Sequence, residues 1–254
     1  MQHWQKVFLV SNMSAKNIKI KRIIFWSTLT ITAAAVIITV IIFNSTPLKP
    51  CINSRTLSRP QVIIDAGHGG IDGGAVSDSG TAEADINLAI STKTRDIMNL
   101  LGVSVIMTRS DRNSLDYKEG RSIRDNKNAD LKARLKLASD NPGHDFLSIH
   151  LNKFEQSKSY GAQVFYGNNN PASKIIAEYI QQSFVTYIDS TNKRIPKQAH
   201  DSIYLMKHIN SPAVIVECGF LSNPEEERLL MTEDYHTHVG LAITKGYLDY
   251  IKER

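Results

Sequence analysis

From residue 61 onward, short apolar runs alternate with longer amphipathic ones. Gln61–Ala66, Val103–Thr108, Phe146–His150, Gly161–Tyr166 and Ala213–Glu217 are short, apolar and bounded by turn residues, so they read as strands. Helical spacing fills the intervals between them. Ala82–Leu101 places Ile86, Ile90, Ile97, Met98 and Leu101 on one face and stops at Gly102, a C-terminal signal. Asn170-Pro171 opens a second helix with Ile175, Ile176, Tyr179, Ile180, Phe184 and Ile188 facing inward, and Asn223-Pro224 repeats that start before EEERLLM. Val239, Ala242, Ile243, Tyr247, Tyr250 and Ile251 form the stripe of a C-terminal helix. Strands alternating with helices predict an α/β fold. Ser110–Asn128 is highly charged with few apolar anchors and is expected to be a surface excursion.

The N-terminal quarter follows a different pattern. Ile23–Phe43 is a 21-residue run without a charge. At about 1.5 Å per residue a helix of this length spans a hydrocarbon core of roughly 30 Å. A cleaved signal peptide is the rival reading. It is disfavoured because the run is long for that role and NSTPLKPC offers no small-x-small cleavage site. Lys16, Lys19, Lys21 and Arg22 precede the run, so the positive-inside rule orients the N-terminus to the cytoplasm and the rest outside the membrane. The expected organisation is a cytoplasmic basic arm (1–22), a transmembrane anchor (23–43), a linker (44–60) and one large domain (61–254).

Charge sharpens this division. Eight of the 30 Lys/Arg and none of the 25 Asp/Glu lie in residues 1–59, leaving residues 60–254 with 22 basic against 25 acidic side chains, a formal charge of −3. The pI of 9.1 therefore belongs to the arm, and a nucleic-acid partner is not expected for the domain. Two cysteines, Cys51 and Cys218, cannot build a disulfide framework, and Cys218, inside an apolar run, reads as a small hydrophobe.

Candidate chemistry gathers at the ends of three strands. VIIDAGH ends at His68, FLSIH at His150 and AVIVE at Glu217. In a largely parallel sheet these ends meet at the carboxyl edge, where open α/β folds place their ligands. Five glycines follow or flank His68, yet neither GxGxxG nor GK[ST] is present, so a phosphate cradle is not supported. Two imidazoles and a carboxylate around an open position form a catalytic zinc site of the His₂Glu kind. Glu83, at the start of the first long helix, is the candidate third ligand. From the residues alone it reads equally as a helix N-terminal carboxylate favoured by the macrodipole. Among the other histidines, His236 and His238 read as a surface pair, and only His200 is kept as a possible substrate contact.

IIDAGHGGIDGGA, EADINLA, FLSIHLNKF, GAQVFY and PAVIVECGFLSNPEEERLL, in that order, resemble the zinc-dependent N-acetylmuramoyl-L-alanine amidases of the type 3 family. The resemblance runs from Val62 to the C-terminus. It implies a mixed, mostly parallel sheet covered by helices on both faces, Zn²⁺ held by His68, Glu83 and His150, and Glu217 as the catalytic acid/base. The substrate implied is peptidoglycan. Within the family, the single anchor, GAQVFYG and SIYLMKHINSPA look most like the spore-cortex, germination-specific members, which implies removal of stem peptides for muramic-δ-lactam formation during sporulation. A vegetative wall autolysin, a non-catalytic wall-binding module, and another wall zinc hydrolase such as a deacetylase or peptidase remain the alternatives. The reading leaves room for an accessory or activator protein outside the membrane, in the cortex-facing space of a sporulating cell.

Overall fold

The computed structural model describes residues 60–254, together with Trp26 and Thr32, both helical. Apart from those two residues, the arm, the expected anchor and the linker up to Arg59 lie outside the described residues. Among the described residues no helix is long and apolar enough to cross a membrane.

Six strands form one sheet: β1 Gln61–Ala66, β2 Ser104–Met107, β3 Asp145–Asn152, β4 Gln163–Tyr166, β5 Lys197–Gln198 and β6 Ala213–Phe220. Their order is β2-β1-β3-β6-β4-β5. All neighbours pair in parallel except β4, which runs antiparallel to β6, so the sheet is mixed as expected. The two-residue β5 has no counterpart in the apolar pattern, because a strand that short carries no alternation to read. Within residues 60–254 the helices are α1 Glu83–Leu100, α2 Ile123–Asp140, α3 Ala172–Tyr187, α4 Tyr204–His208, α5 Pro224–Leu230 and α6 Glu233–Glu253.

Alternation along the strands divides the core between the two faces. Val62, Ile64, Leu147, Ile149, Val214 and Val216 pack with Ile86 and Ile90 of α1, Ile176 and Phe184 of α3, and Val239, Ile243 and Tyr247 of α6. Ile63, Phe146, Ala213 and Ile215 point the other way, onto Ala138, Leu131 and Leu135 of α2 and Leu205 and Met206 of α4. Both faces are thus covered, which is why the strands read as continuous apolar runs rather than alternating ones. Helix α6 lies unusually close to α3: a Cβ placed on Gly246 would stand 2.6 Å from the Ile180 Cα. The absence of a side chain there lets the two backbones touch.

Four expectations are corrected. The stretch Ser110–Asn128 is not all excursion, since α2 begins at Ile123 with the Ser122 hydroxyl accepting from the Asp125 N–H. The buried stripe of α2 is Asn126, Asp130, Arg134 and Ala138, four residues apart. Its inward face is polar, so the apolar signal that marks a helix is missing. His236 is buried rather than on the surface, and its Nε2–H donates to the Leu230 carbonyl at 2.6 Å. At the rims, Leu101 and Ile175, expected inward, are exposed.

Candidate metal centre and active site

Because β1, β3 and β6 are parallel neighbours, the three strand ends do meet. Ala66 is in register with Ile149, and His150 is in register with Glu217. His68 follows β1 by two residues, on a turn whose Gly67 N–H donates to the Ile149 carbonyl at 3.1 Å. A Cβ on Gly67 would fall 2.3 Å from the His150 ring, so glycine is required where the imidazole crosses the end of β1. The turn then returns the chain to Glu83 at the head of α1, where the Ala75 N–H donates to Glu83 Oε2 at 2.8 Å.

His68, Glu83 and His150 converge, each offering a ligand atom within 4.8 Å of the others. His68 Nε2 lies 3.4 Å from Glu83 Oε1, and His150 Nδ1 lies 3.0 Å from the same oxygen. The His68 Nδ1–H donates to Asp72 Oδ2 at 3.0 Å, which fixes the tautomer and leaves Nε2 facing the centre, the arrangement that supports metal-ligating histidines. Glu83 is further held by the Asn87 side-chain amide at 3.1 Å and the Leu151 N–H at 3.0 Å. Burial alone would depress the His68 imidazole, but the Asp72 and Glu83 carboxylates outweigh it and push its pKa up to about 9. Burial would raise the Glu83 carboxyl, yet hydrogen bonds from His150 and His68 hold it well below the usual range. The point where the three side chains meet therefore attracts positive charge. The donor set fits a divalent cation with one position open.

His68 adopts φ 60°, and no other described non-glycine residue has a positive φ. A left-handed L-residue costs about 1–2 kcal/mol, and two buried guanidiniums hold the turn against it. Arg134 Nη1 donates to the Ala66 carbonyl at 2.9 Å and Nη2 to the His68 carbonyl at 2.6 Å. Arg109 donates from Nε to Ala66 O at 2.9 Å, and from Nη2 to Gly67 O at 3.0 Å and Ala84 O at 2.7 Å. Arg134 is itself paired with Asp65 at the end of β1 and, through Nε at 2.7 Å, with Asp130. Burial would raise Asp65, but Arg134 and the Ser148 and Thr108 hydroxyls keep it ionised and below the ordinary carboxylate range. The polar stripe of α2 is thus the support of the His68 turn. Replacing Arg134 by Met leaves Asp65 buried and unpaired, a change that costs about 3–5 kcal/mol. Urea unfolding is expected to show that loss, with part of it recovered when Asp65→Asn is added. A shift under about 1 kcal/mol would mean that the network does not hold the turn.

Glu217 stays outside the ligand cluster. One of its oxygens, Oε2, is sealed from solvent with no hydrogen-bond partner among the described residues. Burial pushes its carboxyl up to about 7, the Glu83 charge adding to the effect and His150 and His68 opposing it. A carboxyl balanced between its two forms at neutral pH suits a group that must accept and then return a proton. His200 is exposed, with Nδ1 2.8 Å from the Ser202 hydroxyl, and does not join the cluster. Cys218 is buried in the core, as read from its sequence context.

Residues 62–249 match the N-acetylmuramoyl-L-alanine amidase family. The chain belongs to that family. This amidase is 36% identical over 211 residues to the germination-specific N-acetylmuramoyl-L-alanine amidase of Bacillus subtilis (strain 168), covering 83% of this chain and 87% of that one. Among solved structures it is similar to the CwlD amidase from Clostridioides difficile in complex with the GerS lipoprotein, at 44% identity and TM-score 0.74, over 77% of this chain and all of that chain. The catalytic domain of CwlV, an amidase from Bacillus (Paenibacillus) polymyxa var. colistinus, is 31% identical with TM-score 0.61, over 77% of this chain and 99% of that chain. The amidase is a hydrolase acting on peptidoglycan, and the wall-binding and non-hydrolytic alternatives fall away.

Sequence reasoning missed Asp72, Asn87, Arg109 and Arg134. Asp72 lay within reach of it: four residues after His68 and inside the same glycine-rich turn, it is where a carboxylate could meet the second ring nitrogen.

Proposed function

We propose that this amidase holds a zinc ion through His68 Nε2, the Glu83 carboxylate and His150, and cleaves the amide between N-acetylmuramic acid and L-alanine with Glu217 as acid/base. The observation that carries the reading is the convergence of a His₂Glu donor set beside a carboxyl that is in register with one ligand but not part of the set. Zinc supplies Lewis acidity, lowering the pKa of water toward about 7 and polarising a carbonyl. Glu217 takes the proton from the attacking water and returns it to the leaving L-alanine nitrogen, so one carboxyl serves both halves of the reaction. Asp72 keeps the His68 tautomer, and the Arg134–Arg109 pair keeps its turn in place. Mass spectrometry of digested peptidoglycan tests the reaction. Peptides with a free N-terminal L-alanine are expected, whereas released acetate or internal peptide ends would overturn it.

The similarity to germination-specific and CwlD amidases supports a role in the spore cortex, with muramic-δ-lactam as the downstream product. Disruption of the gene should remove muramic-δ-lactam from the cortex; an unchanged cortex would point to the vegetative wall. That the similar CwlD structure holds a lipoprotein supports an accessory partner outside the membrane for this chain as well. The uncharged run 23–43 beside the basic arm supports a single-pass anchor with the catalytic domain outside. Protease added to intact protoplasts should then digest residues 60–254, and full protection would refute that topology.

A further inference from the structure

The row His150–Glu217 continues one strand further, to Gln163 of β4, the Cα partner of Glu217 on its other side. Cross-strand partners point to the same face, so Gln163 stands beside Glu217 on the side away from the ligands. Its amide is buried and engaged by the segment that follows Asn192: Oε1 accepts from Arg194 Nη1 at 3.1 Å and Nε2 donates to the Ile195 carbonyl at 2.9 Å.

Arg194 is built into this position. Nε donates to the Tyr160 carbonyl at 2.7 Å, and the guanidinium carbon lies 4.4 Å above the Phe220 ring. The Arg194 N–H donates to Asn192 Oδ1 at 2.9 Å, while the buried Asn192 donates its own amide to the Ala162 carbonyl at 2.9 Å. None of these partners is a carboxylate. Glu226, which feels the Arg194 charge, is occupied by the N–H groups of Gly161 and Phe220. With Lys158 and Lys193, Arg194 lines a cavity of about 390 Å³ that has no carboxylate in its wall.

Resting on the amidase reading, we propose that this cavity is a carboxylate subsite for the leaving stem peptide, with Arg194 taking the free carboxylate of an acidic residue next to L-alanine. The direction follows from the chemistry of the row. The carbonyl must face the His150 side and the leaving nitrogen must face Glu217, so the peptide extends toward β4. Strands stand about 4.8 Å apart and successive residues about 3.8 Å, which brings the second residue of the stem level with Gln163 and Arg194. An arginine already fixed along one edge recognises a carboxylate with little further ordering.

The test uses the zinc-loaded full chain and two soluble muropeptides that differ only in whether the residue after L-alanine carries a free carboxylate or its amide. A hydrogen bond to a charged group corresponds to roughly a tenfold to hundredfold preference, so KM is expected to be lower for the acid form by that factor. Arg194→Gln should abolish the preference with zinc content retained, and Arg194→Lys should restore part of it. If Arg194→Gln does not fold, Lys158→Gln with Lys193→Gln, both exposed, should still raise KM severalfold for the acid form alone. Equal KM values for the two substrates in the unaltered protein, or a preference untouched by these variants, would overturn the subsite and leave the amidase standing. Cleavage of neither substrate would instead sink the amidase reading and the subsite with it.

Discussion

His68→Ala is expected to lose metal and amidase activity together. The imidazole contributes one of three converging ligand atoms, and its removal leaves an incomplete shell that cannot retain zinc. Elemental analysis of the purified chain and release of L-alanine-terminated peptide should fall in step. Asp72→Asn provides the graded comparison. It keeps every ligand but weakens the acceptor that fixes the His68 tautomer, so metal affinity should drop about 10- to 100-fold without vanishing. Full zinc occupancy in His68→Ala would remove this histidine from the ligand set.

Glu217→Gln is expected to behave in the opposite way, keeping zinc and losing turnover. The substitution preserves shape and leaves His68, Glu83 and His150 untouched, while the amide can neither accept nor return the proton. General acid/base catalysis contributes typically about 10²–10⁴ in rate, and a carboxyl used in both steps sits toward the upper end. If the variant lost its zinc as completely as His68→Ala, Glu217 would be a ligand. If it kept both zinc and near-normal turnover, the proton would have to travel through another group.

What the sequence revealed and what it hid follow from the same physics. The strands that carry His68, His150 and Glu217 are buried on both faces, so they appear as unbroken apolar runs, and parallel pairing brings their ends to one edge. His68, His150 and Glu217 were legible because each follows or interrupts such a run. Glu83 was ambiguous because a carboxylate at a helix N-terminus has a reason to be there without any metal; hidden from the sequence was its place between His68 and His150, held by the N–H groups of Ala75 in the turn and Leu151 in β3. The support beneath the site was illegible. Arg134 is 2% exposed, but its partners Asp65 and Ala66 lie more than sixty residues away, and its helix shows a charged stripe where periodicity seeks an apolar one. His236 was misjudged for a related reason: its buried ring answers the Leu230 carbonyl between α5 and α6, a demand set by helix packing rather than by local pattern.

The close seating of α6 on α3 at Gly246 bears on how the chain is made. Val239, Ile243, Tyr247 and Tyr250 close the same core that Val62, Ile64 and Ile149 open, yet α6 follows every other described element in the chain. A nascent chain lengthens at about 5–20 residues per second, and throughout that time the core that α1 and α3 begin to cover lacks Val239, Ile243, Tyr247 and Tyr250, until the 21 residues of α6 emerge. Completion of this core therefore waits for the C-terminal helix. A premature stop inside α6 would not trim a tail but release a polypeptide whose larger core is left unfinished, a candidate for degradation or aggregation even with all four site residues present.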